Sequence, residues 1–246
     1  MHIENLKRKS IESRKKILKY IYNAKAGHTG GSLSILDILN VLYNDVMNVS
    51  PENFSSNTRD RFIQSKGHPT KAIHGIEQNT GGLGHGLPIC AGAALAAKKD
   101  NSGVKVFTIL GDGEMAEGSN WEAMMFAAHY KLDNLCAILD YNKLQITAPN
   151  EDVMGLEPID QKLESFGWAV KHVDGHNLEE LSQTLNNLPL ENGKPTFIIA
   201  HTTKGKGISY MENVLKWHHG VPSKEQYDLA IEELDLQLQE LETVSK

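Results

Sequence analysis

The sequence is poor in cysteine and has no long apolar run, and each absence argues against a class of protein. Among its 246 residues there are only two cysteines. Since they form no C-x-x-C pair, neither a disulfide framework nor a cysteine zinc site is expected. No apolar stretch approaches the roughly 18 residues that a membrane-spanning helix needs. The first ten residues also lack the apolar core of a signal peptide. These features predict a cytoplasmic protein.

Basic charge is scarce outside the first helix. The net charge is −6, yet residues 1–25 carry eight basic and two acidic side chains, or +6. A helix with a basic face of this kind sometimes binds nucleic acid or anionic lipid. Here apolar residues recur beside it at helical spacing, which predicts a helix that buries one face and exposes its basic face to water. Neither nucleic acid nor a membrane is therefore expected as a partner.

Short apolar runs alternate with helical stretches along most of the chain. Strands are predicted at 61–65, 104–110, 135–139, 168–173 and 196–200. Helices are predicted at 4–25, after the glycine cluster 27–31 with Ser32 or Ser34 as cap, at 119–130, at 177–187 and from Ser223 onward. This alternation predicts an α/β fold, a mainly parallel sheet with helices on both faces.

No linker divides the chain, so a single domain over residues 1–246 is predicted. It would have an N-terminal helical arm at about 1–25 and a C-terminal helix at about 223–244.

The segment most informative about chemistry is Gly111-Asp112-Gly113, directly after a predicted strand, with Asn142 following the next strand thirty residues later. Ligands of parallel sheets bind beyond the carboxyl ends of the strands, so these side chains should lie together. The Asp112 carboxylate, the Asn142 amide oxygen and the Leu144 carbonyl would supply half of a Mg²⁺ shell, which a diphosphate and water would complete.

Local features of this segment support an anion site. The two glycines would let the backbone approach phosphates and adopt positive φ. The helix predicted from Ser119 would direct its positive end toward the anion. A P-loop needs Lys-Ser/Thr where Gly118-Ser119 stands, and the dinucleotide spacing G-x-G-x-x-G is not matched. An acidic turn without a ligand is the plain alternative, and Asn142 at a second strand end argues against it.

The stretch from Gly111 to Asn142 resembles the thiamine-diphosphate motif, and the chain as a whole resembles the N-terminal part of transketolases. Four more segments carry the resemblance: AKAGHTGGS at 24–32, SKGH at 65–68, GIEQNTGGLG at 75–84 and WHHGVP at 217–222. The resemblance implies a three-layer thiamine-diphosphate-binding fold. It further implies the N-terminal subunit of a split transketolase, which contains the diphosphate-binding domain alone.

The resemblance also assigns expected roles to single residues. The metal ligands would be Asp112, Asn142 and the carbonyl of Leu144. The catalytic residues, near the sugar and the reacting carbons, would be His28, His68 and His219. The cofactor-binding residues would be Gly82, Leu83, Gly111, Asp112, Gly113, Glu117 and Asn142, with Glu117 and Glu122 toward a subunit interface. Thr29 and His85 depart from the family pattern, which has proline and glutamine there.

The implied reaction is a thiamine-diphosphate- and Mg²⁺-dependent transfer of a two-carbon ketol unit from a ketose phosphate to an aldose. The pyrimidine-binding part of the cofactor site would come from a separate C-terminal transketolase subunit, in a heterotetramer acting on sugar phosphates. Two alternatives stay open: the α subunit of a 2-oxoacid dehydrogenase, which shares Gly-Asp-Gly and the asparagine, and a non-catalytic cofactor-binding scaffold.

One segment is shorter than the family pattern. Ser65-Lys-Gly-His68 runs directly into residues 69–77, where transketolases carry a few dozen more residues. The segment is either truly deleted from the protein or missing only from this sequence. Since the family uses it to hold substrate, a true deletion predicts weakened or altered ketose binding. The shortening also predicts irregular backbone between His68 and Gly75.

Overall fold

A five-stranded parallel sheet forms the centre of the computed structural model, which describes residues 2–67, 69 and 76–244. The strands are β1 (Arg61–Gln64), β2 (Val106–Gly111), β3 (Leu135–Tyr141), β4 (Ala169–Asp174) and β5 (Thr196–His201). Their order is β1-β2-β3-β5-β4, and every neighbouring pair is parallel. The predicted parallel α/β fold is therefore confirmed. The irregular connection predicted for residues 68–75 lies outside the described residues, apart from Pro69.

Helices surround the sheet. They are α1 (His2–Ala24), α2 (Thr29–Ser34), α3 (Leu36–Val41), α4 (Gly86–Lys99), α5 (Gly118–His129), α6 (Asn150–Val153), α7 (Ile159–Ser165), α8 (Leu178–Asn186) and α9 (Lys224–Val244). A π-helical turn follows α3, and 3-10 turns lie at Gly113–Ala116 and Leu215–His218. Among the described helices none is both long and apolar enough to cross a membrane.

Alternate residues of the strands enter two different cores. Val106 and Leu110 of β2 pack with α4, α5 and α7 on one face of the sheet. Phe107 and Ile109 of the same strand pack with α3 and α8 on the other face. Burial on both faces explains why the three central strands, β2, β3 and β5, are apolar at most positions.

The basic first helix lies against the acidic last one. Lys15 pairs with Asp235 and Arg8 with Glu242, so the charge of α1 is partly met within the chain. Helix α9 begins with the predicted capping box: the Ser223 Oγ accepts the Gln226 N–H at 3.2 Å, and the Gln226 Oε1 accepts the Ser223 N–H at 3.0 Å.

Two helices differ from the sequence-based prediction. Helix α2 starts inside the glycine cluster, and neither Ser32 nor Ser34 caps it. Close packing favours Gly30 there, since a Cβ would lie a tight 3.1 Å from the carbonyl oxygen of Trp217. Helix α4 was not predicted, because its alanine-rich sequence is apolar on most sides and shows little helical periodicity.

Candidate active site

A cavity of about 400 Å³ lies at the carboxyl edge of the sheet. The loops that follow β1, β2, β3 and β5 all reach it, because these four strands are consecutive in the sheet and parallel. Eight of the residues singled out from the sequence line the cavity: His28, Leu83, Gly111, Asp112, Gly113, Asn142, Leu144 and His219.

Asp112 lies where β2 ends and is almost completely buried, with 3 % of its surface exposed. Its Oδ2 accepts the backbone N–H groups of Asn142 at 2.9 Å and Lys143 at 2.7 Å. The Oδ1 of Asn142 in turn accepts the N–H of Leu144 at 3.1 Å. The carboxylate thus holds the loop after β3 against the end of β2, and the three predicted metal ligands line one cavity.

The charge of Asp112 is poorly compensated by the protein. Burial, and after it the nearby Asp140 carboxylate, raise the pKa of Asp112 to about 7. Within the described part of the chain, Asp112 has no ion pair with a basic side chain. A buried carboxylate in this state favours a bound cation, whose positive charge would lower the pKa again.

Asp140, the last residue but one of β3, is fully buried beneath the cavity. Its carboxylate accepts hydrogen bonds from the Lys66 ammonium, from the Thr202 hydroxyl and from the Ser34 hydroxyl at 2.8 Å. Burial alone would raise the pKa of Asp140, but the Lys66 ammonium and these hydrogen bonds outweigh it and keep the pKa below its usual value. Lys66 is thereby held at the cavity wall.

A second ammonium group enters the cavity from the loop after β5. The Nζ of Lys204 donates to the carbonyl oxygens of Leu144 at 3.0 Å and Gln145 at 3.3 Å. Burial, with the nearby Lys66 charge, lowers the pKa of Lys204 to about 8. The Leu144 carbonyl, expected as a metal ligand, therefore already accepts a cationic group in this structure.

Three histidine side chains line another part of the cavity. His28 precedes α2, while His218 and His219 follow one another at the end of a 3-10 turn. Burial, and then the Lys204 ammonium, lower the pKa of His218 to about 4, so this ring is neutral at pH 7. The side chain of His219 is exposed to solvent. His68 lies outside the described residues.

Two of the expected cofactor-binding residues, Gly82 and Glu117, are not among the residues that line the cavity, so their roles stay predictions. Gly81 and Leu83 line the cavity in place of Gly82, and Glu117 is exposed beside Gly84. Helix α5 does not present its N-terminus to the cavity, because a 3-10 turn separates it from Asp112.

The glycines beside Asp112 also differ from the expectation. Neither Gly111 nor Gly113 has the positive φ that was predicted; that conformation occurs at Gly67, Gly81 and Gly84 instead.

Sequence reasoning missed five polar residues of the site: Lys66, Glu114, Asp140, Lys204 and His218. Lys66 stands inside the SKGH segment, which was noted only for its histidine. Lys204 follows β5 in a glycine-bearing loop, and its place just beyond a strand end is the signal that indicates a site residue. Glu114 accepts the N–H groups of Gly84 at 3.0 Å and Gly111 at 3.2 Å, a bridging role that no local pattern encodes.

The donor set fits a divalent cation and a diphosphate. Asp112, Asn142 and the Leu144 carbonyl offer the oxygens that Mg²⁺ prefers. Lys66 and Lys204 offer two ammonium groups to an anion, and Gly31 leaves room beside Lys66 because it has no side chain. The arrangement suits a domain that binds a diphosphate through a divalent cation.

Comparison with known proteins identifies the family. A family model described as transketolase, thiamine diphosphate binding domain, matches residues 8–74 and 65–237. The chain is 42 % identical to one subunit of the apulose-4-phosphate transketolase of Phocaeicola vulgatus over 98 % of both chains. It is 36 % identical to the 6-deoxy-6-sulfo-D-fructose transketolase subunit SqwG of a Clostridium species, over 90 % of this chain and 93 % of that one.

Solved structures show the same fold. The transketolase of Leishmania mexicana superposes with a TM-score of 0.80 at 22 % identity, over 98 % of this chain. The match covers 46 % of that protein, so the chain spans about half its length. The chain belongs to the transketolase family, as an N-terminal subunit with the thiamine-diphosphate-binding domain.

The comparisons also bear on the shortened segment. The two matched stretches of the family model overlap at residues 65–74. The alignment with the P. vulgatus protein is 275 positions long, whereas this chain has 246 residues, so at least 29 positions of that relative have no counterpart here. The overlap points to a missing segment near His68, whereas the alignment length shows only that unmatched positions exist.

Proposed function

We propose that this chain is the cofactor-binding subunit of an enzyme that transfers a two-carbon ketol unit from a ketose phosphate to an aldose, using thiamine diphosphate and Mg²⁺. One observation carries the proposal: a single cavity is lined by the oxygens of Asp112, Asn142 and Leu144 and by the ammonium groups of Lys66 and Lys204. Residues 1–246 would act as one diphosphate-binding domain in the cytoplasm.

The residues at the strand ends would hold the charged half of the cofactor. Mg²⁺ would bind to Asp112, to Asn142 and to the Leu144 carbonyl, and Lys204 would move from that carbonyl to the diphosphate. Lys66 is held by Asp140, so it would face the anion without rearrangement. Thiamine diphosphate, when bound, supplies the nucleophilic carbon and the electron sink for breaking the bond between the second and third carbons of the ketose.

The histidines would handle the sugar. His28, His68 and His219 are proposed to bind sugar hydroxyl groups and to move protons near pH 7, which suits imidazole. Leu83 lines the cavity and is 41 % exposed, so its side chain would be free to contact the cofactor.

A partner subunit would complete the site. Helices α4 and α5 pack together and both expose apolar side chains: Ile89 by 39 %, Met125 by 51 % and Phe126 by 37 %. Single exposed apolar residues are ordinary, but several on adjoining helices support an interface. Glu117 and Glu122 are exposed on α5 or just before it, as expected for interface residues. The proposed partner is a pyrimidine-binding transketolase subunit, with two such pairs in a heterotetramer.

The substrate is proposed only as a class. The relatives are named for apulose 4-phosphate and for 6-deoxy-6-sulfo-D-fructose, so similar subunits serve unusual ketoses. A phosphorylated or sulfonated ketose is therefore the proposed donor.

A direct experiment is to titrate thiamine diphosphate and Mg²⁺ into this chain, alone and with a C-terminal transketolase subunit, and then to assay ketol transfer. We expect Mg²⁺-dependent cofactor binding to tighten with the partner, and transfer to require both chains. Full activity of an isolated monomer would overturn the partner proposal. Oxidative decarboxylation of a 2-oxoacid would instead identify a 2-oxoacid dehydrogenase subunit.

The shortened segment supports one second candidate, a cofactor-binding scaffold without catalysis. If the missing positions near His68 hold the ketose in relatives, this chain would bind cofactor and partner but transfer no ketol. Normal cofactor affinity in the complex, combined with no transfer from any ketose phosphate, would favour the scaffold over the enzyme.

A further inference from the structure

A buried ionic cluster lies outside the lining of the cavity, in a part of the molecule that the proposed function does not use. Arg14 of α1 donates from Nη1 and Nη2 to the two carboxylate oxygens of Asp37 of α3, at 3.0 and 2.6 Å. The same carboxylate lies 2.8 Å from the Nδ1 of His176, in the turn between β4 and α8. The side chains are only 6, 6 and 12 % exposed, so water does little to weaken these contacts.

The hydrogen-bond partners of His176 fix where its proton lies. Burial alone would raise the pKa of Asp37, but the His176 hydrogen bond and the Arg14 charge outweigh it and hold that pKa well below its usual value. Asp37 is therefore a carboxylate that can only accept, so the Nδ1 of His176 donates. On the other side of the ring, the Nε2 accepts the backbone N–H of Thr203 at 2.8 Å. The imidazole thus connects a buried ion pair to the loop after β5.

The cluster holds this loop on both sides of Lys204. On the side of β5, the N–H of Thr203 donates to His176. On the other side, the carbonyl of Lys206 accepts the Nε of Arg14 at 3.0 Å. Between these two points Lys204 is only 2 % exposed, and its side chain lines the cavity. Since a lysine side chain is flexible along four carbons, the place of its ammonium depends on how firmly the backbone is held.

We propose that His176 is a positioning residue: held by Asp37, it fixes the loop after β5 so that the Lys204 ammonium stays within reach of the cofactor diphosphate. The inference rests on the proposed function, in which Lys204 binds that diphosphate. Because the loop is fixed before the ligand arrives, less freedom is lost on binding, which strengthens it. The plain alternative is a cluster that only stabilises the packing of α1 and α3, without effect on Lys204.

Two substitutions at one position separate the roles of the two ring nitrogens. His176→Gln places an amide oxygen near the position of Nε2 and retains an acceptor for Thr203. His176→Asn is shorter, so its amide stays beside Asp37 and leaves the Thr203 N–H without an acceptor. In the full chain without cofactor, hydrogen exchange of residues 202–207 should be about tenfold faster in His176→Asn, since one hydrogen bond is lost. His176→Gln should exchange like the wild type.

A double-mutant cycle tests whether His176 acts through Lys204. Calorimetry in excess Mg²⁺ measures the binding of thiamine diphosphate and of inorganic diphosphate to the complex of this chain with a C-terminal transketolase subunit. His176→Asn should weaken both about tenfold, and Lys204→Met at least as much. In the Lys204→Met background, His176→Asn should add no further loss. The matched control His172→Asn, which removes a half-exposed histidine of β4, should change neither binding nor exchange.

Nitrogen-15 NMR of the wild-type chain provides a further measurement should His176→Asn fail to fold. The imidazole signal that disappears in His176→Gln should show the proton on Nδ1. A proton on Nε2, unchanged exchange in His176→Asn, equal effects of the two substitutions, or additive losses in the cycle would each overturn the positioning role and leave the proposed function standing. If the wild-type complex binds neither diphosphate, the proposed function fails and this inference fails with it.

Discussion

The ends of β2 and β3 carry one buried aspartate each, and the protein treats the two in opposite ways. Asp140, the last residue but one of β3, is neutralised by the Lys66 ammonium and by two hydroxyl groups. Asp112, after β2, accepts two backbone N–H groups and a hydrogen bond from the Asn150 side chain, but has no basic partner among the described residues, and its pKa is raised to about 7. The comparison indicates that the charge of Asp140 is compensated within the protein, where this residue positions Lys66. The charge of Asp112 is not compensated, so a cation from solution can bind to it.

The largest expected effect comes from removing the proposed metal ligands. Asp112→Ala and Asn142→Ala should each abolish Mg²⁺-dependent binding of thiamine diphosphate, because each would delete one of the oxygens proposed to bind the metal. Asp112→Asn is the matched variant, since it keeps an oxygen for the N–H groups of Asn142 and Lys143 while removing the charge. Calorimetry measures the affinity, and circular dichroism checks the fold. Unchanged affinity in both alanine variants would disprove the metal assignment.

Asp140→Asn should reduce stability rather than act on the metal directly. Removing one member of a buried ion pair leaves the other uncompensated and costs about 3 kcal/mol. Urea unfolding of the metal-free chain measures the loss. Asp112→Asn, measured beside it at pH 8, should cost nothing or stabilise the chain, because burial penalises the charged form of Asp112. Equal losses of unfolding free energy in Asp140→Asn and Asp112→Asn would contradict the proposed difference in charge compensation between the two carboxylates.

The pH dependence should separate the two carboxylates further. A folded pKa of about 7 for Asp112, against an ordinary value of 3.8, means that the folded chain holds this proton more tightly than the unfolded chain. The resulting stability is fully present below about pH 4 and is lost as pH rises through 7. Since a proton competes with the metal, Mg²⁺ affinity should fall about tenfold for each pH unit below 7. Calorimetry at pH 5.5, 6.5 and 7.5 tests this slope, and a flat profile would contradict it.

The smallest effect is expected at an exposed ion pair. Arg8 and Glu242 join α1 to α9, and both side chains are about half exposed. Glu242→Gln should cost under about 1 kcal/mol, because water and salt screen such a pair. Urea unfolding with and without added salt provides the measurement. A loss as large as that of Asp140→Asn would show that burial does not explain the contrast between the two pairs.

Most of the fold was predictable because its signals are local. Short runs with apolar residues marked all five strands, and the Ser223–Gln226 box marked the start of α9. Helix α4 was missed because its exposed side also carries small or apolar residues, so periodicity does not reveal its buried face. The predicted start of α2 was too late, because Gly30 lies within the helix and packs against Trp217 instead of forming a turn. This contact involves a segment distant in sequence, so the local pattern does not reveal it.

For the site, the sequence by itself determined that the proposed oxygen ligands meet: Asp112 and Asn142 each follow an apolar strand, and parallel strands that lie side by side bring their ends together. Tertiary structure alone decided the cations and the imidazoles. Lys66 meets Asp140 because β1 lies beyond β2, and Lys204 reaches Leu144 because β5 inserts beside β3. His28 joins His218 and His219 because α2 packs on the turn before Gly220. Contacts of this kind depend on strand order and on segments nearly two hundred residues apart, which no local pattern of residues encodes.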